Sequence, residues 1–276
     1  MNNILVPTDY SEVAKKAALY ALKFAGQLHA SKIVLYNAYQ QPIATDASMT
    51  PVELIDFDDM KMIAETGMET FKAAIQPAAG NIAIETVIEY TTLTDGIQDI
   101  CAANHIDVIV MGVTGGGAVT EALIGSSAVN VARHSTLPVI VVPPNTEFSE
   151  IKNVLLACDF RKVVETTPVK PIKTILDETK AKLFVLNIDH ENRNFSPDTP
   201  FESLMLDTLF YGYNPEYHFI DSTSFVDAIN DFAVDKNIDL IITIPKKHGF
   251  FDGLFKRSHT KELAFHSHVP LMVIHD

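Results

Sequence analysis

The sequence predicts an α/β protein of two tandem doubly wound domains, each a mostly parallel five-stranded sheet flanked by helices. Three observations carry that expectation. The chain repeats itself, apolar runs of strand length alternate with segments of helical period, and those runs are apolar throughout, as in strands covered on both faces.

The repeat shows at both ends. NILVPTD at Asn3 to Asp9 is answered by NVLLACD at Asn153 to Asp159, an offset of 150. STLPVIVVP at Ser135 to Pro143 is answered by SHVPLMVIH at Ser267 to His275, and HIDVIV at His105 to Val110 by NIDLII at Asn237 to Ile242, both at an offset of 132. The second copy is therefore shorter by a net 18 residues, lost from its middle. The domains are expected at 1–146 and 147–276, meeting near Thr146 to Glu150.

In the first copy the strands are Ile4–Pro7, Lys32–Ala38, Ile84–Tyr90, Val108–Gly112 and Val139–Val142. Ser11 precedes a helix with Ala14, Ala17, Ala18, Ala21, Leu22, Ala25 and Leu28 on one stripe, and Gly26 lies near its end. Met60 to Ile75 reads as a second helix, Thr94 to Asn104 as a third with Asp95 able to cap it, and Ser126 to His134 as a fourth. The acidic run Asp56, Asp58 and Asp59 before the second helix reads as a solvated helix start.

In the second copy the same plan gives strand Asn153–Ala157, helix Pro168–Thr179, strands Lys182–Ile188 and Tyr217–Ile220, helix Ser224–Lys236, and strands Leu240–Ile244 and Leu271–Ile274. Asp189 to Asn214 is the least regular stretch, with one helix at Phe201 to Leu209. Each copy is thus a Rossmann-like unit.

Composition narrows the function. A net charge of −14, from 21 basic and 35 acidic side chains, excludes general binding to nucleic acid or an anionic membrane. No apolar run reaches the length of a membrane span, and MNNILVPTD enters the first strand without a basic leader, so a cytoplasmic protein is expected. Cys101 and Cys158 lie far apart in apolar surroundings and form neither a disulfide framework nor a zinc spacing; both read as inert packing residues.

The chemistry concentrates at Met111 to Ser127, MGVTGGGAVTEALIGSS, where four of the chain's 12 glycines fall within seven residues at a strand's carboxyl end. Glycine admits positive φ and leaves no Cβ in the way, so backbone N–H groups can converge on an anion, and the following helix N-terminus adds about half a positive charge. Phosphate is the natural guest. There is no G-x-x-x-x-G-K-[ST] and no G-x-G-x-x-G in the first βα turn. What stands here is Gly112-x-x-Gly115, nine residues, then Gly125-Ser126, with VPTD on the first strand.

That pattern resembles the ATP-binding motif of the universal stress protein family, and the repeat resembles its tandem two-domain members; the likeness covers nearly the whole chain. The resemblance implies an adenine-nucleotide-binding stress-response regulatory protein. Gly112, Gly115, Gly125, Ser126 and Ser127 would hold ribose and phosphates, with Met111 beside them. Pro7, Thr8 and Asp9 would line the adenine and ribose side, and Ala38 would pack beside the base. Asp9 can accept from an amine edge or a hydroxyl, or help hold a nucleotide-bound Mg²⁺; Ser126 can donate to phosphate and cap its helix. The cofactor would be ATP, ADP or AMP. The family commonly dimerises through the last strand of each domain, which implies an intramolecular pair through Val139–Val142 and Leu271–Ile274, and a homodimer of tandem chains beyond that.

In the second copy the offset of 132 places Ile244 at Gly112, Lys247 at Gly115, Arg257 at Gly125 and Ser258 at Ser126, and Pro7-Thr8 becomes Ala157-Cys158 while Asp159 stands for Asp9. One nucleotide per chain at most is the consequence. The loop Pro245 to Lys261 carries Lys246, Lys247, Lys256, Arg257 and Lys261 among phenylalanines, readable as a docking surface or as a self-packed, solvated loop. His248, His259, His266, His268 and His275 have no ligand spacing and read as surface residues. No catalytic residue is assigned: without a Walker lysine, an elbow serine or paired carboxylates, slow ATP hydrolysis is the most the site would support. The alternatives to a nucleotide-binding regulator are a weak ATPase and a scaffold acting through the second domain.

Overall fold

The computed structural model describes residues 1–41, 56–113, 126–144, 146–189, 198–245 and 269–275, with only the backbone of Ser126. Along the chain run β1 (Asn3–Pro7), α1 (Glu12–Gln27), β2 (Lys32–Tyr39), α2 (Phe57–Ile75), β3 (Ala83–Tyr90), α3 (Leu93–Ala103), β4 (Val108–Gly112), α4 (Ser126–His134) and β5 (Val139–Val142). They are followed by β6 (Asn153–Ala157), α5 (Val163–Thr166), α6 (Val169–Thr179), β7 (Lys182–Asp189), α7 (Thr199–Leu209), β8 (Glu216–Asp221), α8 (Phe225–Asp235), β9 (Leu240–Thr243) and β10 (Leu271–Val273). The described strands form one sheet in the order β3-β2-β1-β4-β5-β10-β9-β6-β7-β8. Neighbours are parallel except β5 and β10, which pair antiparallel with Ile140 opposite Met272.

The unalternated strands are buried on both faces. Ile4 and Val6 face a core shared with α1, α2, α6 and α7, while Leu5 faces one shared with α3, α4 and α8. No helix among the described residues is long and apolar enough to cross a membrane.

The two five-stranded halves use matching hydrogen bonds. Asp107 Oδ2 accepts the N–H groups of Asn2 and Asn3 at 2.6 and 3.1 Å, and Asp239 Oδ2 accepts those of Lys152 and Asn153, both at 2.9 Å. Asn3 Nδ2 donates to the carbonyls of Asn104 and His105, and Asn153 Nδ2 to those of Lys236 and Asn237. Asn37 Nδ2 donates to Thr8 O at 2.8 Å where Asn187 Nδ2 donates to Cys158 O at 2.9 Å. Each device ties a strand to the turn beside it.

Several element boundaries differ from the sequence reading. Helix α3 starts at Leu93 and is capped by Thr92, whose Oγ1 accepts Asp95 N at 3.2 Å; Asp95 is the recipient of the cap and holds the threonine hydroxyl at 2.6 Å. Ser224 caps α8 in the same way by accepting Asp227 N at 3.3 Å. Helix α2 begins at Phe57, capped by Asp56, because the acidic run continues the helix instead of preceding it.

The halves differ at the first helix. Helix α1 is one continuous 16-residue element, whereas its counterpart is split into α5 and α6. Pro168 lacks the N–H that an unbroken helix needs, and Phe160 and Lys162 take φ of 48° and 50°.

Candidate functional site

In the first half the strand order reverses between β1 and β4, which leaves a crevice at their carboxyl ends. A cleft of about 170 Å³ opens there, lined by Pro7 at the end of β1 and Thr8 and Asp9 after it, Ala14 of α1, Tyr36 and Ala38 of β2, Leu93 of α3, Met111 and Gly112 of β4 and Val113 after it, and Ser127 and Ala128 of α4. The structure thus brings together seven of the sequence-predicted site residues: Pro7, Thr8, Asp9, Ala38, Met111, Gly112 and Ser127. Gly115 and Gly125 lie outside the described residues, as does the side chain of Ser126. Sequence reasoning missed Tyr36, Leu93, Val113, Ala14 and Ala128, which are apolar or aromatic and so indistinguishable from core until the strands are registered.

Local hydrogen bonds hold the turn after β1. Thr8 N donates to Tyr36 O at 2.8 Å, Thr8 Oγ1 accepts Tyr10 N at 3.0 Å, and Asp9 Oδ1 accepts Ser11 N at 3.1 Å. Ser11 then caps α1 by accepting Ala14 N. Tyr10, at φ 66°, turns the chain and anchors it: its hydroxyl donates to Ala64 O at 2.7 Å, and its ring occupies the space a side chain at Gly67 would need. Asp9 is exposed and Thr8 buried, so the turn presents a carboxylate at the mouth of the cleft.

Two glycines near the cleft serve packing. A Cβ at Gly112 would lie 2.5 Å from Val13 Cγ1 and 3.0 Å from Val13 O, so the bare position lets α1 lie against the end of β4. A Cβ at Gly96 would lie 2.0 Å from the Tyr36 hydroxyl, which donates to Glu89 Oε2 at 2.9 Å. Burial, followed by that carboxylate, pushes the Tyr36 phenol up from its ordinary pKa, so it stays a neutral donor.

Among the described lining residues Asp9 carries the one carboxylate, and no lysine or arginine is present. Among the described residues, what could meet a phosphate here is backbone N–H groups, the Thr8 and Ser127 hydroxyls and the N-terminus of α4.

The second half is filled at the corresponding positions. Ile244, at the place of Gly112, is 4% exposed; Ile188, at the place of Ala38, is 5%; Cys158 and Asp159 are 7% and 4%. Val163, the counterpart of Val13, is fully buried. The burial of Cys158 agrees with its reading as a packed thiol, whereas Cys101 is only half-buried and lines a groove. Lys247, Arg257 and Ser258, the basic loop from Lys246 onward, and His248, His259, His266 and His268 lie outside the described residues. His275 is half-buried, its Nε2 2.6 Å from Ala132 O in the last turn of α4. No group of three or more His, Cys, Asp or Glu among the described residues could hold a metal.

Comparison with known proteins gives the chain's family and fold relatives. The profile of the universal stress protein family matches residues 1–143. Over 140 residues, 50% of this chain and 80% of the relative, the sequence is 29% identical to a universal stress protein of Methanocaldococcus jannaschii. The fold is similar to the crystal structure of a universal stress protein from Archaeoglobus fulgidus DSM 4304, with a TM-score of 0.72, 21% identity, and coverage of 99% of this chain and 98% of that one. It is also similar to a functionally unknown protein from Pseudomonas aeruginosa PAO1, with a TM-score of 0.59, 13% identity, and coverage of 100% and 92%. At those identities the two structures speak to the fold, while the profile, matching more than half of the chain, speaks to kinship: the chain belongs to the universal stress protein family.

Proposed function

We propose that the first half, residues 1–146, binds one adenine nucleotide (ATP, ADP or AMP) in the cleft, and that the protein acts as a nucleotide-dependent regulator of a stress response. The observation that carries this reading is the convergence of Pro7, Thr8, Asp9, Ala38, Met111, Gly112 and Ser127 from four elements around one crevice at the switch point. A cleft of about 170 Å³ is smaller than the several hundred that enclose a whole drug-sized ligand. It accommodates the base end of a nucleotide, with the phosphates toward the start of α4 and the glycine run. Asp9 then stands where a Mg²⁺ held mainly by phosphate oxygens would accept a carboxylate.

The second half, residues 147–276, is in this reading a homologous domain that holds no nucleotide. The side chains of Ile244, Ile188, Cys158 and Asp159 are buried at the positions of its cleft, and Glu202 Oε2 takes the N–H of Val163 at the start of α5. The two domains pair through β5 and β10.

The test is to purify the protein without added nucleotide, denature it, and identify released small molecules by chromatography and mass spectrometry. The expected result is about one adenine nucleotide per chain, and none from a Gly115→Lys, Gly125→Arg double variant that copies the second domain and blocks the anion cradle. A wild-type protein that is empty and also fails to bind added ATP with Mg²⁺ overturns the reading.

A further inference from the structure

Between α3 and α4 of the first half, from Thr94 to the carboxyl ends of both helices, runs a groove of about 440 Å³, within the range of small-molecule sites. Its floor is apolar: Ile97, Ile106, Ile109 and Val131 are each at most 5% exposed. Its rim is polar, with exposed Thr94, Gln98, Asn130 and Thr136, whose side chains make no hydrogen bond among the described residues. An apolar floor ringed by a few uncommitted donors and acceptors is the composition of a ligand site, in which the polar groups set orientation.

Electrostatics decides the class of ligand. Among the described residues neither Asp, Glu, Lys nor Arg lines the groove, whose ionisable side chains are Cys101, His105 and His134, so a cation finds no counter-charge. An anion meets the carboxyl ends of α3 and α4, which carry partial negative charge, on a protein of net charge −14. Neither sign meets a fixed counter-charge among the described lining residues. Gln98 and Asn130, by contrast, each offer an amide that can donate and accept at once.

We propose that this groove is a second small-molecule site, separate from the nucleotide cleft, that takes an uncharged amphipathic molecule. Its apolar body of about one or two rings lies on the isoleucine and valine floor, and its hydrogen-bonding end meets Gln98 and Asn130.

The structure supplies its own reporter. Cys101 lines the groove and is half-exposed, whereas Cys158 is buried. Burial pushes the Cys101 thiol up to about 11, so its alkylation is slow enough to time. The probe is prodan, an uncharged naphthalene ketone, titrated against the full chain without nucleotide. The expected result is saturable binding of one prodan with blue-shifted emission, and slowed alkylation of Cys101 by N-ethylmaleimide, read by peptide mass. Ala102→Trp fills the groove from an exposed rim position and should weaken binding by at least about tenfold with the melting temperature unchanged. Gln98→Ala with Asn130→Ala should weaken it several-fold. Absence of saturable binding to the wild type overturns the proposal. So does binding that leaves the Cys101 rate unchanged and survives Ala102→Trp. Neither outcome depends on whether the cleft holds nucleotide.

Discussion

Tyr36 and Gly96 form a pair that neither residue explains alone. A tyrosine in the middle of β2 sends its hydroxyl to Glu89 through the first turn of α3, and only a residue without a Cβ leaves room for it. Gly96→Ala should therefore destabilise the protein by about 1–3 kcal/mol, the usual range for overpacking. Tyr36→Phe alone should cost about 1 kcal/mol for the lost hydrogen bond, Glu89 being only half-buried and able to turn to water. In the double variant the atom at 2.0 Å is gone and the nearest neighbour is the Thr91 Cγ2 at 2.8 Å, on a side chain that can rotate. Thermal melts of the four proteins should then give a double variant more stable than Gly96→Ala; strict additivity would show that the clash is relieved elsewhere. This pairing was not legible in the sequence, because Tyr36 and Gly96 are 60 positions apart and belong to no motif. The strand-end residues Pro7, Thr8, Asp9, Met111 and Gly112 stood out as site candidates through the family resemblance of VPTD and the glycine run; that Val13 claims the space of the side chain Gly112 lacks was not legible.

Elements were legible wherever an apolar period ran long enough to exceed turn chemistry. The strands and the stripe of α1 follow from it directly; helix starts do not, since Asp56 and Thr92 compete with acidic neighbours for the cap and geometry alone selects among them. The aspartates that pin β1 and β6 were equally hidden. Asp107 and Asp239 look like surface acids in the sequence, but each receives two backbone N–H groups from the start of a strand, and Asp239 also accepts Ser149 Oγ at 3.0 Å. Hydrogen bonds to a charged group are worth about 1.5–3 kcal/mol each, so Asp107→Ala should cost about 2–3 kcal/mol in chemical denaturation. Asp239→Ala should cost more, since it also frees the segment joining the two halves. Equal midpoints for wild type and both variants would mean that water replaces the carboxylates without loss.

At the scale of the molecule, contacts other than the strand pair cross between the halves. Gln27 of α1 clasps Ile151 with both ends of its amide at 2.9 Å and Tyr20 meets Phe148 edge-on at 5.2 Å, while Lys16 Nζ, within the first half, donates to Pro144 O at 2.8 Å beside the connection. All of these hold the connection near residues 144–151, and any of them can be lost while the sheet persists. The seam itself is different. Ile140 and Met272 face each other in the antiparallel register, both fully buried, and through them β5 and β10 each cover an edge that would otherwise be open. Proline at either position removes a ladder hydrogen bond and places its ring against the partner strand in the middle of the sheet. Ile140→Pro or Met272→Pro should therefore lower stability by about 3 kcal/mol or more and expose edges that associate, visible as a lower melting temperature with larger species in light scattering. Gln27→Ala, which loosens only the clasp, should shift the melt by far less and leave the size unchanged. Two proline variants that melt with the wild type would show that the halves are held by the clasp and linker contacts, and that the ten-stranded sheet is two sheets laid end to end.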